Sequence, residues 1–197
     1  IALAAPTGKA ASRLEESVRE SLAAQVERGS LDPALALQLP TTASALHRLL
    51  GWQRGGFRHG RGHPLPQQLV VVDEASMIDL ALMCRLLEAV APEAQLVIVG
   101  DPDQLPSVDT GDVLAALCEA SEQAGSPLRD ARQHLSHPHR QSAGVDVPKL
   151  ATLVREGATE ALLRGLDAAA FRGVNWRHGN EAALHAALRA EAVPAYR

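Results

Sequence analysis

Leu69 to Val72 is an uninterrupted run of Leu and Val that ends on two adjacent carboxylates, Asp73 and Glu74. A strand with one solvated face alternates apolar and polar residues. A run that is apolar at every position instead suits the interior of a parallel sheet flanked by helices. Leu96 to Val99, closed by Gly100, repeats the pattern. Between them Leu82, Leu86, Leu87 and Val90 recur at helical spacing, and Pro92 supplies a stop. Strand, helix and strand therefore alternate as in a doubly wound α/β domain. Such folds bind ligands beyond the carboxyl ends of their strands, where Asp73 and Glu74 stand.

The remaining chain continues the alternation. Ile1 to Ala5 predicts a strand, Pro6, Thr7 and Gly8 a turn, and the Ala-, Leu- and Arg-rich stretch from Lys9 to Arg28 a helix. Ala43 to Leu50 predicts a short helix capped by Thr42 or Ser44 and stopped by Gly51. Trp52 to Gln68 holds Gly55, Gly56, Gly60, Gly62, Pro64 and Pro66, a composition that predicts an exposed loop. A helix from Gly111 to about Ala120, capped by Asp109 or Thr110, is expected next. Pro148 to Arg155, Glu160 to Leu166 and Glu181 to Glu191 read as helices, with Phe171 to Arg177 as an intervening strand.

Composition narrows the function classes. With 197 residues, 46% of them hydrophobic, the chain can fill one ordinary core. Nineteen Lys and Arg against 23 Asp and Glu give a formal charge of -4, which excludes a uniformly basic nucleic-acid coat or a polybasic membrane binder. Any nucleic-acid footprint must be local, and one candidate is present. From Pro33 to Val72 there is no Asp or Glu, while Arg48, Arg54, Arg58 and Arg61 are joined by His47, His59 and His63. A solvated Gly- and Arg-rich loop without a partner has the same composition. Aromatic residues make up only 3% of the chain, too few for an extensive base-stacking platform, so phosphate-backbone contacts are expected to dominate. Cys84 and Cys118 lie far apart without CxxC spacing and read as small core hydrophobes in a reducing cytoplasm. No stretch approaches the roughly 18 apolar residues of a membrane span.

The chemistry suggested by the strand ends is nucleotide hydrolysis. Asp73 can hold Mg²⁺ directly or through a water, and Glu74 can orient and deprotonate the water that attacks a γ-phosphate. An acidic pair opening a helix is the plainer alternative. After the second strand come Asp101 and Gln104; a neutral amide there can touch a γ-phosphate or its attacking water. Gly8 and Lys9 suggest a P-loop, but G-x-x-x-x-G-K-[ST] would need Gly at position 3 and Ser or Thr at position 10, where the sequence has Leu3 and Ala10. What remains is a turn whose Thr7 hydroxyl and backbone N–H groups can receive a backbone phosphate, or simply cap a helix.

The order APTGKAA, TTASALHRLLG, VVVDEASMID, GDPDQLPSVDTGDVL and LSHPHRQ resembles the superfamily 1B DNA helicases, above all the exodeoxyribonuclease V alpha-subunit family, over roughly Ile1 to Leu153. The resemblance implies an α/β, RecA-like P-loop NTPase domain with a central parallel sheet, present as an internal fragment lacking the Walker A strand and loop. It implies ATP and Mg²⁺ as cofactors, with Asp73, Glu74, Gln104 and Arg140 as catalytic residues. Asp73, Gln104 and Arg140 would bind the nucleotide, Asp73 the metal, and Arg140 would reach the γ-phosphate. Pro6, Thr7, Gly8, Lys9, Thr41, Thr42 and His47 would contact single-stranded DNA, beside the basic residues Arg48, Arg54, Arg58 and Arg61. Residues 1–142 would form part of the first RecA-like domain, with a basic loop inserted at 51–68, and 143–197 a mostly helical extension. The implied activity is ATP-driven 5′ to 3′ translocation on single-stranded DNA in double-strand break repair and recombination, with the beta and gamma subunits of exodeoxyribonuclease V as partners. The isolated fragment is expected to be inactive. The alternatives are a stand-alone or relaxase-linked helicase of the same superfamily, and a non-catalytic nucleic-acid-binding or interaction module.

Overall fold

The two apolar runs are neighbouring strands. The computed structural model of the chain describes residues 1–104, 111–135 and 144–195. Ile1–Gln133 and His134–Arg197 form two compact units. In the first, β1 (Ala2–Ala5) leads into α1 (Gly8–Glu27) and α2 (Pro33–Ala36). Then come β2 (Ala43–Ala45), α3 (Leu46–Leu49), and the strand pair β3 (Trp52–Gln53) and β4 (Gly56–Phe57). β5 (Leu69–Val72), α4 (Leu80–Ala89), β6 (Gln95–Ile98) and α5 (Val113–Glu122) complete it.

The four-stranded sheet has the order β2-β1-β5-β6 and every pairing in it is parallel. Leu3 pairs with Val71 and Val71 with Val97, so the registers run level across the sheet. Parallel strands cannot be joined by tight turns, which is why helices carry the connections. Ala4, Val70 and Val72 are fully buried with Leu46, Leu50, Ile78, Met83 and Leu86 in the core. Each large core side chain there contributes on the order of 1.5–3 kcal/mol by leaving water. On the other face Leu3, Leu69 and Val71 are half-buried and Val97 is 43% exposed, so two-sided burial of these runs holds only in part among the described residues.

Several local expectations are corrected. Residues 43–50 are not one helix: Ala43, Ser44 and Ala45 pair with Leu3, Ala4 and Ala5, and a single helical turn follows. Small residues fit this close strand pairing, and the Ala43 N–H donates to Glu15 Oε1 of α1 at 2.8 Å, so neither Thr42 nor Ser44 caps a helix. The loop 52–68 contains the β3–β4 hairpin and an isolated bridge between Gly60 and His63. The cap of α5 is Asp112, whose side chain accepts from the Ala115 N–H at 3.2 Å; Asp109 and Thr110 lie outside the described residues. On α4 the inward residues are Leu82, Met83 and Leu86, whereas Leu87 is exposed. Cys84 is exposed too, while Cys118 packs against the core as expected.

The second unit carries α6 (Val147–Arg155), α7 (Thr159–Asp167) and α8 (Glu181–Ala195). The expected strand at 171–177 does not form. The Arg172 carbonyl accepts from the Asp146 N–H and the Arg172 N–H donates to Asp146 Oδ2, Gly173 turns at φ 73, and the Phe171 ring lies against Gly165, where a Cβ would meet it at 2.5 Å. These contacts spend the backbone groups a strand would need. No described helix is long and apolar enough to cross a membrane.

Candidate functional site

Because β2, β1, β5 and β6 all run the same way, their carboxyl ends lie along one edge of the sheet, and the candidate residues follow those ends. Beyond β5, the Asp73 N–H donates to Ala4 O at 2.9 Å, extending the pairing with β1 by one residue. Glu74 then turns into the left-handed conformation at φ 54 and ψ 40, which ends the strand and starts the 3₁₀ turn Ala75–Met77. Oδ1 of Asp73 accepts from the Glu74 N–H at 2.9 Å. Both carboxylates are half-buried.

The end of β6 reaches the same turn. The Val99 carbonyl accepts from the Ala75 N–H at 3.0 Å. A Cβ on Gly100 would stand 2.7 Å from Leu114 Cδ2 and 3.0 Å from the Ala75 N, so only glycine lets the two strand ends touch. The sequence marked Gly100 only as a strand terminator; its role in bringing two loops together depends on contacts distant in sequence. Beyond it, Asp101 Oδ1 accepts from the Asp103 N–H at 3.0 Å, and the Gln104 N–H donates to Asp101 O at 3.2 Å. This Asx turn presents an exposed Gln104, whose Nε2 lies 3.5 Å from Asp101 Oδ2.

On the β1 side, Thr7 is the N-cap of α1 and its Oγ1 accepts from the Ala10 N–H at 3.2 Å. Thr7, Gly8 and Lys9 are exposed and Pro6 is half-buried. No acidic residue occupies the first turn of α1, and Lys9 stands there instead, where the helix dipole favours an anion from outside. Past β2, His47 and Arg48 on α3 are exposed, and the His47 ring lies 5.7 Å from that of Phe57.

The structure does not gather every candidate at this edge. Thr41 and Thr42 precede β2, about 10 Å from its carboxyl end at ~3.3 Å per strand residue. Arg48, Arg54 and Arg58 make no ion pair among the described residues, whereas Arg61 pairs with Glu88 at 3.2 Å, and Glu88 also holds Arg85 at 3.1 Å. Arg140 lies outside the described residues.

Among the described residues no group of three or more His, Cys, Asp or Glu side chains could hold a metal ion. The fit at this edge is a different one: Asp73 offers a hard oxygen donor, with Oδ1 steadied by the Glu74 N–H. That suits a divalent cation bound by one carboxylate together with phosphates and waters, as Mg²⁺ usually is.

Comparison with known proteins follows this layout. The AAA domain family matches residues 1–110. The RecBCD enzyme subunit RecD of Mycolicibacterium smegmatis is 45% identical over 182 residues, covering 90% of this chain and 30% of that protein. The RecD subunit of Haemophilus influenzae is 36% identical over 191 residues, 85% of this chain and 30% of its own length. The ATP-dependent RecD2 DNA helicase of Deinococcus radiodurans is 45% identical over 121 residues, 61% of this chain and 14% of its own. The chain thus spans about 30% of the length of the RecD subunits it matches. The resemblance read from the motifs holds, and the parallel α/β sheet agrees with the RecA-like class.

Proposed function

We propose, for a chain that belongs to the AAA domain family and is similar to RecD over most of its length, that it forms part of the first motor domain of an ATP-dependent DNA helicase. The observation that carries this is the division of labour along the sheet edge: Thr7, Lys9 and His47 follow β1 and β2, while Asp73, Glu74 and Gln104 follow β5 and β6. A DNA strand on the first pair of strand ends and a nucleotide on the second would share one rigid sheet. A change at one is then passed to the other through the β1–β5 pairing.

In this reading Asp73 holds Mg²⁺, which supplies charge neutralisation to the phosphates when bound. Glu74 orients and deprotonates the attacking water. Gln104, steadied by Asp101, touches the γ-phosphate or that water, and Arg140 contributes a charge to the same phosphate. Thr7 Oγ1, while accepting from the Ala10 N–H, keeps its own proton to donate to a DNA phosphate. Residues 1–142 belong to the first motor domain and 143–197 to a helical extension. Translocation runs 5′ to 3′ on single-stranded DNA in double-strand break repair, in the cytoplasm, with the beta and gamma subunits of exodeoxyribonuclease V as partners.

The test is ATP turnover by the full-length protein with and without single-stranded DNA. Glu74→Gln keeps the shape and removes the base, so kcat should fall about 10²-fold or more while nucleotide binding persists. A kcat within twofold of wild type would remove Glu74 from the mechanism and the motor reading with it.

A further inference from the structure

We infer that Ser76 is a positioning residue for the proposed ATP site. Its buried hydroxyl gains an acceptor on the segment beyond β6 when a γ-phosphate is gripped between Glu74 and Gln104, and so ties the two strand ends together. The inference rests on the motor reading above.

Three polar residues are buried among the described residues: Ser76 at 3%, Ser121 at 5% and Asp146 at 6% exposure. Two of them are satisfied. Ser121 Oγ donates to Cys118 O at 2.6 Å within α5, and Asp146 accepts from the Arg172 N–H at 3.0 Å and pairs with Lys149 at 2.9 Å. Ser76 Oγ is enclosed and has no hydrogen-bond partner among the described residues. An unpaired hydroxyl is costly to bury, and a native fold that keeps one beside a working site calls for an explanation.

The backbone shows why the usual local remedy fails. A helical serine turns its hydroxyl back to a carbonyl three or four residues earlier, as Ser12 does to Gly8 O at 3.2 Å. Four residues before Ser76, the Val72 carbonyl already accepts from the Val99 N–H at 2.8 Å within the sheet. Between them Glu74 stands at φ 54, which interrupts the helical path that would bring such a carbonyl within reach. The acceptor must come from another segment.

The segment at hand is the end of β6. A Cβ on Gly100 would lie 3.2 Å from Ser76 N and 2.7 Å from Leu114 Cδ2, so the turn 75–77, Gly100 and the start of α5 meet at one point. Leu114 offers no side-chain acceptor. Gly100 and the Asx turn after it carry carbonyls and the Asp101 carboxylate. Ser76 is also two residues past Glu74, and Gly100 is four before Gln104. A hydrogen bond across this junction therefore joins the segment that would activate the attacking water to the segment that would sense the phosphate. Such a bond is made best when both segments hold one group, and the γ-phosphate is the group that ATP has and ADP lacks. A ligand favours one arrangement only through an interaction it makes or promotes there, and the Ser76 bond supplies one for ATP alone.

The experiment uses full-length wild type, Ser76→Ala and Ser76→Cys. It compares melting without nucleotide with binding of Mg²⁺–ADP and of Mg²⁺–adenylyl imidodiphosphate, a non-hydrolysable ATP analogue. Ser76→Ala should melt no lower than wild type, because the hydroxyl it removes has no partner to lose. Its affinity for the analogue should fall roughly threefold to tenfold, the worth of one hydrogen bond, while ADP binds as before. Ser76→Cys, close in size but a weak donor, should lose most of the same preference. A clear loss of stability or of folding in Ser76→Ala would mean that the hydroxyl is already bonded, and would overturn the inference. Equal weakening for both nucleotides, weakening for neither, or a full ATP preference in Ser76→Cys would overturn it too, while DNA-stimulated turnover by wild type would leave the motor reading standing. A wild type that binds neither nucleotide would overturn the motor reading and the role of Ser76 with it.

Discussion

The Glu74 backbone N–H donates to Oδ1 of Asp73 at 2.9 Å while Glu74 itself sits at φ 54, a left-handed conformation that a side chain of this size rarely adopts. Such a residue costs on the order of 1–2 kcal/mol and persists because its surroundings hold it: the Ala75 N–H bond to Val99 O and the 3₁₀ turn that follows. Strain of this kind gathers at working sites, since it aims a side chain where a relaxed strand end would not.

Glycine has no steric penalty at this φ. Glu74→Gly should therefore leave stability within about 1 kcal/mol of wild type, strain relief being offset by the added freedom of the unfolded chain. Glu74→Val, β-branched and left-handed, should be clearly less stable. Thermal melting of the two full-length variants, alongside their ATP turnover, checks this. A glycine variant that melts well below wild type would show that the Glu74 side chain, and not only its backbone turn, holds the strand end together.

Thr7 is asked to do two things with one hydroxyl, and substitutions separate them. Thr7→Val removes both the acceptor for the Ala10 N–H and the donor, so about 1 kcal/mol of helix stability and the DNA stimulation of ATPase should fall together. Thr7→Asp keeps a good cap but replaces the donor with a negative charge; stability should hold while DNA stimulation drops. Full stimulation in the stable Asp variant would return the APTGKAA turn to a helix cap alone.

Arginine replacement should be read through salt. Each guanidinium taken away from a single-strand phosphate should lower the slope of log K against log salt by about 0.7. Arg48→Ala, Arg54→Ala and Arg58→Ala should each move it, whereas Arg61→Ala should move it less, because Glu88 already holds that guanidinium. Salt titrations of DNA binding by the full-length variants decide it. Equal slopes for all the variants and wild type would make the basic stretch a solvated face.

Acid should loosen the second unit through Asp146. The N–H of Arg172 and then the Lys149 ammonium hold its carboxyl down at about 2, below its ordinary 3.8. A carboxyl whose folded value is depressed stabilises above its unfolded value and loses that contribution as pH falls from about 4 toward 2. Protection against hydrogen exchange at residues 146–173, taken relative to the unstructured-chain rate at each pH, should therefore fall across that window in wild type. Asp146→Asn should be less protected at neutral pH and show little further change on acidification. A wild-type protection that stays level from pH 4 to 2 would deny the clamp.

The strands at 69–72 and 95–98 were legible because short, uninterrupted apolar runs rich in β-branched residues have few other solutions, and α1 because its turn and helix formers are local signals. Residues 43–50 misled because alanine and leucine carry good helix propensity and Thr42 and Ser44 are good caps. Only pairing with Leu3 to Ala5, some forty residues earlier in the chain, makes them a strand. The expected strand at 171–177 failed for the mirror reason: its β-like composition found no partner strand, and Asp146 took its backbone groups. Cys84 and Leu87 read as core from hydrophobicity alone, though the turn of α4 points them outward.

By itself the amino-acid sequence determined the elements whose signals are local, the carboxylates at the end of an apolar strand and the acid-free basic stretch, since periodicity, capping and charge need no neighbours. Only the tertiary structure decided which of these share an edge. Parallel pairing in the order β2-β1-β5-β6 sets His47 and Thr7 on one side and Asp73, Glu74 and Gln104 on the other, leaves Thr41 and Thr42 at the far end of β2, and ties Arg61 to Glu88. Those outcomes depend on hydrogen bonds and close approaches between residues far apart in the chain, such as Gly100 against Ala75 and Leu114. A linear pattern carries no record of such distances, because they arise only when the whole core is packed.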